Sequence, residues 1–218
     1  MEIDVRGFLH SKTEIQCLFE KQNSLNLIRE LLERPFSIQI NELTRKKSTI
    51  SFNDPELNRI FTLNQILVES AMQIAHSMYD LLIRIIYFEI IKRKKIIINE
   101  REITASNIDK KLDPEKRSEK RIKEKIRFLR ESTFYRYING FVNIVKHRGI
   151  VKQNTQIDSK GFFGPIIEEF KYDENNFEKK RWTEAFENIQ DLITEIVSCV
   201  GIINEEIKEY EENKECKT

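Results

Sequence analysis

The chain predicts a mainly α-helical protein, on three observations. Apolar residues recur at spacings of three and four through most of its length, the period of an amphipathic helix. Charged residues make up 33% of the 218 while glycine and proline number six and four, a balance that suits long surface-charged helices and argues against a sandwich or barrel. Two of the prolines, Pro55 and Pro114, each follow an aspartate, the pairing that opens a helix. With 39% hydrophobic residues, one sizeable core is expected.

Ile15, Leu18, Phe19, Leu25, Ile28, Leu31 and Leu32 predict a first helix from about Ser11 to Glu33, with a break near Gln22–Ser24 and Pro35 beyond its end. Phe36–Ile40 and Thr49–Phe52 read as short extended pieces, so residues 1–53 form a helix followed by an irregular or extended segment. Asp54-Pro55-Glu56 starts a central helix reaching about Lys92, roughly 37 residues or about 55 Å. Its stripe is Ile60, Phe61, Leu67, Ile74, Met78, Leu81, Leu82 and Ile85, with His76 and Asp80 one turn apart as a surface or core pair.

Ile96–Asn107 has strand or loop character. A charged helix then starts at Asp113-Pro114 and runs to Glu131, its first turns exposed and part of Asn107–Ser118 disordered. It kinks at Ser132-Thr133 into a helix ending at His147. Ile150–Ile157 and Ile166–Tyr172, separated by SKGFFGP, predict a β-hairpin over about residues 150–172. The last helix starts near Asn175–Glu178 and reaches about Glu212, with Trp182, Phe186, Ile189, Leu192, Ile196, Val200 and Ile203 buried. The bundle thus spans 54–213, and 214–218 form a flexible tail.

Several classes are excluded. Cys17, Cys199 and Cys216 are odd in number and far apart, which fits a reducing, cytoplasmic setting and gives neither a disulfide framework nor a zinc site. The N-terminus lacks a signal-peptide profile, and Gln73, His76, Asp80, Arg84 and Glu89 interrupt the most apolar helix, so no membrane span is expected. No glycine loop for phosphates, no HExxH and no hydrolase signature occurs. No metal and no cofactor is expected.

Net charge is only +1, yet it is unevenly spread. Lys110–Lys152 holds 14 Lys/Arg against 5 Asp/Glu, while Glu168–Thr218 holds 7 against 15. The basic half suits a polyanion such as RNA; equally, the acidic half can neutralise it within the fold or in a partner subunit.

The most informative stretch is FYRYINGFVNIVKHRG, residues 134–149. Phe134, Ile138, Phe141 and Val145 form a buried stripe, and Arg136, Gly140, Asn143 and His147 step beside it along a second, polar face. Lys146, His147 and Arg148 followed by Gly149 also make an ordinary helix ending, with cations near exposed carbonyls and a glycine for the left-handed turn. Structure alone does not demand Asn143 one turn before His147. In the functional reading His147 is a general acid or base near neutral pH. Lys146 and Arg148 hold a scissile phosphate, and Asn143 orients the imidazole or a ribose. Consecutive helix positions diverge by about 100°, so a second subunit or a frayed last turn is needed to gather them.

At MYDLLIRIIYF (78–88), FVNIVKHRGIV (141–151) and the extended piece before the Trp182 helix, the chain resembles the HEPN superfamily over roughly residues 55–210. The resemblance implies an α-helical bundle, metal-independent RNase action, a composite site across a homodimer, and a prokaryotic toxin–antitoxin or phage-defence setting with a cognate antitoxin or defence partner. The family places an arginine ahead of its histidine with four to six residues between them. Here that window holds Val142, Phe141 and Gly140. The nearest upstream arginine, Arg136, lies about 16.5 Å along a straight helix from His147, so it meets a histidine only across a dimer. Chains with an N-x-x-K-H-R motif form a divergent branch of this kind.

The expectation is a mainly α HEPN-like bundle with a small β-hairpin insertion, binding RNA as a homodimer and cleaving it. His147, Asn143, Arg148 and Lys146 are the catalytic candidates, and Arg136 and Lys152 the substrate-binding ones. The alternative is a non-catalytic HEPN-like dimerisation or interaction module, in which KHRG merely ends its helix.

Overall fold

The computed structural model describes residues 11–33, 55–147, 149–157 and 163–215. The extended pieces at Phe36–Ile40 and Thr49–Phe52, the Asp54 cap, Arg148 and residues 216–218 of the expected tail lie outside them. The described chain is mainly helical: α1 (Lys12–Glu33), α2 (Pro55–Ile86), α3 (Ala105–Lys111), α4 (Arg117–Glu131), α5 (Thr133–His147) and α6 (Trp182–Glu215). Five short strands lie between α5 and α6: β1 (Gln153–Ile157), β2 (Phe163–Ile167), β3 (Phe170–Tyr172), β4 (Asn175–Phe177) and β5 (Lys180–Arg181).

The chain divides into two compact units that interleave along the sequence. The first comprises Met1–Gln22, His76–Arg136 and Gln190–Thr218; the second comprises Asn23–Ala75 and Tyr137–Ile189.

In the first unit, α2 stops being a regular α-helix at Ile86. Tyr87–Ile91 form a wider π turn in which the Lys92 N–H reaches back five residues to the Tyr87 carbonyl. A 3₁₀ turn over Lys92–Lys94 then ends at Lys95, which adopts a left-handed conformation (φ 62°). The segment expected as strand or loop instead makes a 3₁₀ turn at Glu100–Glu102 and the helix α3, whose start is capped by the Thr104 hydroxyl accepting from the Asn107 N–H at 3.3 Å. Fully buried Ile108 and Leu112 anchor it, which explains why this stretch is ordered where sparse apolar residues suggested otherwise. Helix α4 begins at Arg117, later than Asp113-Pro114 suggested, and buries Ile122, Ile126 and Leu129. The expected kink is a full break: Ser132 ends α4 in extended geometry, and its Oγ accepts from the Tyr135 N–H at 3.3 Å to start α5.

In the second unit, the buried face of α2 is Ile60, Val68, Ala71, Met72 and Ala75. Of the expected stripe, Ile60, Met78, Leu82 and Ile85 are buried, whereas Phe61, Leu67, Ile74 and Leu81 are only half-buried. The hairpin is present, with β1 antiparallel to β2 in the register Gln153↔Ile167, and β5 extends it on the other edge of β2. The second expected run is split, because β2 ends at Ile167 and a separate hairpin, β3–β4, follows with Phe170 opposite Phe177. Asn175–Phe177 is therefore strand rather than helix. Helix α6 starts at Trp182, where the Glu184 carboxylate accepts from the Arg181 N–H at 3.0 Å, and it runs to Glu215, past the expected Glu212. Gln65 of α2 donates to the Gln153 carbonyl at 2.9 Å and Gln153 donates to Glu69 at 3.3 Å, fastening β1 to the helix.

Candidate functional site

The predicted site residues sit on α5 and just after it. Lys146 and His147 are exposed in its last turn. Gly149 closes the helix: at φ +112° its N–H reaches the Ile144 carbonyl at 3.0 Å, five residues back. A side chain added there would meet nothing within 4 Å, so conformation and not space requires the glycine. Val151 is buried, and Lys152 next to it is exposed. Among the described residues, neither the Lys146 nor the His147 side chain makes a hydrogen bond or ion pair. Arg148 lies outside the described residues.

The second face of α5 is not the continuous polar row its spacing suggested. Arg136 and His147 at its ends are exposed, but Gly140 between them is buried. A Cβ on Gly140 would stand 2.7 Å from the Phe177 ring and 3.4 Å from that of Phe170. The two rings, 4.8 Å apart across the β3–β4 hairpin, pack on Tyr137 and Phe141. Gly140 is thus the seat of an aromatic cluster, with the Lys180 ammonium 5.3 Å from the Tyr137 ring centre. Asn143 does not turn to His147 either. Its amide donates to the Asn139 carbonyl at 2.8 Å and to the Asn139 side chain at 2.9 Å.

Part of the basic segment is matched inside the first unit. Arg121 pairs with Glu205 at 2.8 Å, Arg127 with Asp109 at 3.2 Å, and Lys116 and Lys125 with Glu206 and Glu195. Three of these pairs reach α6, so the acidic half neutralises part of the basic one within the fold. His76 and Asp80 stand 3.7 Å apart, and the His76 ring stacks against Tyr135 at 6.4 Å. Burial keeps the Tyr79 and Tyr135 hydroxyls well above the ordinary phenol range, despite the opposing charge of Arg130.

Sequence reasoning missed a different constellation. The π turn, the start of α4 and α6 form a partly open cavity of about 190 Å³ lined by Glu89, Arg93, Lys94, Lys116, Glu119 and Glu206, with Ile90 and Ile207. Glu89 is fully buried: one oxygen accepts from the Ser11 N–H and hydroxyl, both at 2.9 Å, and the other from Arg93 at 2.7 Å. Glu119 Oε2 accepts from Lys94 and, at 2.8 Å, from the Asp113 N–H. Glu206 accepts from Lys116 and from the Ser118 hydroxyl. Burial opposes the charge of Lys116, but Glu206 and Glu119 prevail and raise it above an ordinary lysine. Glu119 Oε1 accepts no hydrogen bond; Lys116 Nζ is 3.4 Å away, at ion-pair distance only. The one sequence signal was Glu89, a carboxylate inside the apolar run LLIRIIYFEII. π turns of this kind recur at functional sites.

No protein-family model, curated protein or solved structure matches the chain. Among the described residues no group of three or more His, Cys, Asp or Glu is arranged to hold a metal ion, and no helix is long and apolar enough to cross a membrane.

Proposed function

We propose that the chain is an HEPN-like, RNA-binding protein with metal-independent endoribonuclease action. It works as a cytoplasmic homodimer beside a cognate antitoxin or defence partner in a prokaryotic defence or toxin–antitoxin system. The observation that carries this reading is the exposed imidazole–cation pair, His147 and Lys146, at a helix end fixed by Gly149 with Lys152 just beyond. An exposed histidine beside lysines is poorly explained by packing, and it has the right groups for phosphodiester cleavage. His147 takes the proton of a ribose 2′-hydroxyl while Lys146 and Arg148 offset charge on the phosphate. The 2′-oxygen attacks phosphorus and the P–O5′ bond breaks, the 5′-oxygen taking a proton from solvent, which leaves a 2′,3′-cyclic phosphate and a 5′-hydroxyl. Arg136 and Lys152 bind flanking phosphates, and the second subunit completes the site.

A second reading, the non-catalytic interaction module, is favoured by two observations. Asn143 spends its amide on Asn139, and Lys116, Arg121 and Lys125 of the basic segment pair with α6. Incubating wild type and His147→Ala with a mixed RNA pool in EDTA, then identifying fragment ends, separates the two. Cyclic-phosphate ends from wild type alone are the outcome of the nuclease. Absence of cleavage by a dimeric wild-type protein is the outcome of the module.

A further inference from the structure

The cavity at the π turn has a polarity of its own. Its carboxylates lie deep, with the side chains of Glu89 and Glu119 0% exposed and Glu206 7%, whereas the cations lie progressively outward, Arg93 at 14%, Lys94 at 30% and Lys116 at 48%. The floor is therefore negative and the rim positive. Three carboxylates against three cations leave the lining neutral, so an occupant with net charge would unbalance it at a site mostly removed from water. At about 190 Å³ the space exceeds what one or two bridging waters need, each of which takes roughly 30 Å³ in the liquid. One deep acceptor, Glu119 Oε1, has no hydrogen bond.

We infer that this cavity is a binding site for a small zwitterion of the free amino-acid class, with its ammonium group directed inward to Glu119 Oε1 and its carboxylate outward to Lys116. A neutral molecule with its positive end inward is matched to this lining on both counts, since it leaves the net charge unchanged and opposes the polarity of the wall. Its ammonium gives Glu119 Oε1 a close donor, where Lys116 stands at 3.4 Å. Its carboxylate meets the half-exposed Lys116, whose flexible stem lets it serve a ligand while staying near Glu206. An inorganic anion would face the three carboxylates, and a simple cation would leave the neutral lining with an unbalanced positive charge. The site lies wholly within the first unit and does not depend on RNA cleavage.

The test is calorimetric titration and thermal denaturation of the full-length protein with the standard amino acids one at a time. Trimethylglycine, methylammonium and inorganic phosphate serve as controls. Trimethylglycine keeps both charges but has no N–H. The expected result is one-to-one binding of at least one small amino acid with a raised Tm, little or no binding of the three controls, and binding weakened about tenfold or more by Lys116→Gln. Because Lys116 is half-exposed, that variant is chosen over a change at buried Glu119; circular dichroism confirms that it folds. Equal binding of trimethylglycine or of either single-charge control overturns the assignment. So does failure of every amino acid to bind at millimolar concentration, which would make the cavity a water-filled structural one.

Discussion

Two polar regions of this protein treat charge in opposite ways. At the π turn, three glutamates are withdrawn from water and every one is engaged by cations, hydroxyls or backbone N–H groups. At the end of α5, Lys146 and His147 stand in solvent with no such partners among the described residues. A buried charge must be paired or it destabilises the fold, so the first region is rigid by necessity. An exposed one costs and contributes little, so the second is free to be used on something outside the chain. Stability measurements should therefore respond to the first region, and activity measurements to the second.

The largest expected effect breaks the buried network. Glu89→Ala leaves the Ser11 donors and Arg93 without their acceptor, and should cost about 3–5 kcal/mol in urea denaturation; Glu89→Gln, which keeps one acceptor oxygen, should cost less. If both variants match wild type, the network is not structural. Next comes Gly140→Ala. The added methyl collides with the Phe177 ring and should cost about 1–3 kcal/mol, read as a lower Tm with altered near-ultraviolet circular dichroism from the displaced aromatics. Gly149→Ala forces a side chain into φ +112° and should cost about 1 kcal/mol with no change in packing.

His147→Ala inverts the pattern. Its stability should stay within about 0.5 kcal/mol of wild type, while RNA cleavage falls about 100-fold or more. Loss of fold instead would place His147 in the structural class. The smallest effect concerns Glu168, whose carboxyl is held below its usual range by hydrogen bonds from Asn154 and Lys179. A lowered folded-state pKa contributes stability above the ordinary carboxylate range and loses it as pH falls through the folded value. Glu168→Gln should therefore lower stability slightly at neutral pH and flatten its decline in acid, visible as a reduced pH slope of Tm.

Helices with long stripes and clear starts were legible. Pro55 opens α2, Trp182 and its periodic followers lie in α6, and the β1–β2 hairpin falls where Ile150–Ile157 pointed. Short elements were not. Helix α3 has one fully buried isoleucine and β4 three residues, too few for any period to register. The burial of Gly140 could not be read because the rings that cover it come from a hairpin remote in sequence. The cavity was invisible for the same reason: Glu89, Glu119 and Glu206 meet only in the fold, and Glu119 and Glu206 sit in segments so rich in charge that neither stands out.

The π turn at Tyr87–Ile91 also governs which changes of length the chain can absorb. A wide turn holds one more residue than an α-helical path across the same gap, and each residue rotates the downstream chain by about 100°. Because the surplus residue is taken up inside the turn, deleting one of its apolar residues would let the helix close regularly across the same gap and leave Lys94 facing Glu119, whereas a deletion in the regular turns of α2 before it would rotate Lys94 away. Swapping one apolar residue for another there leaves the spacing intact. At this point in the sequence the chain can therefore lose one residue and keep its register downstream, which the regular turns of α2 cannot do.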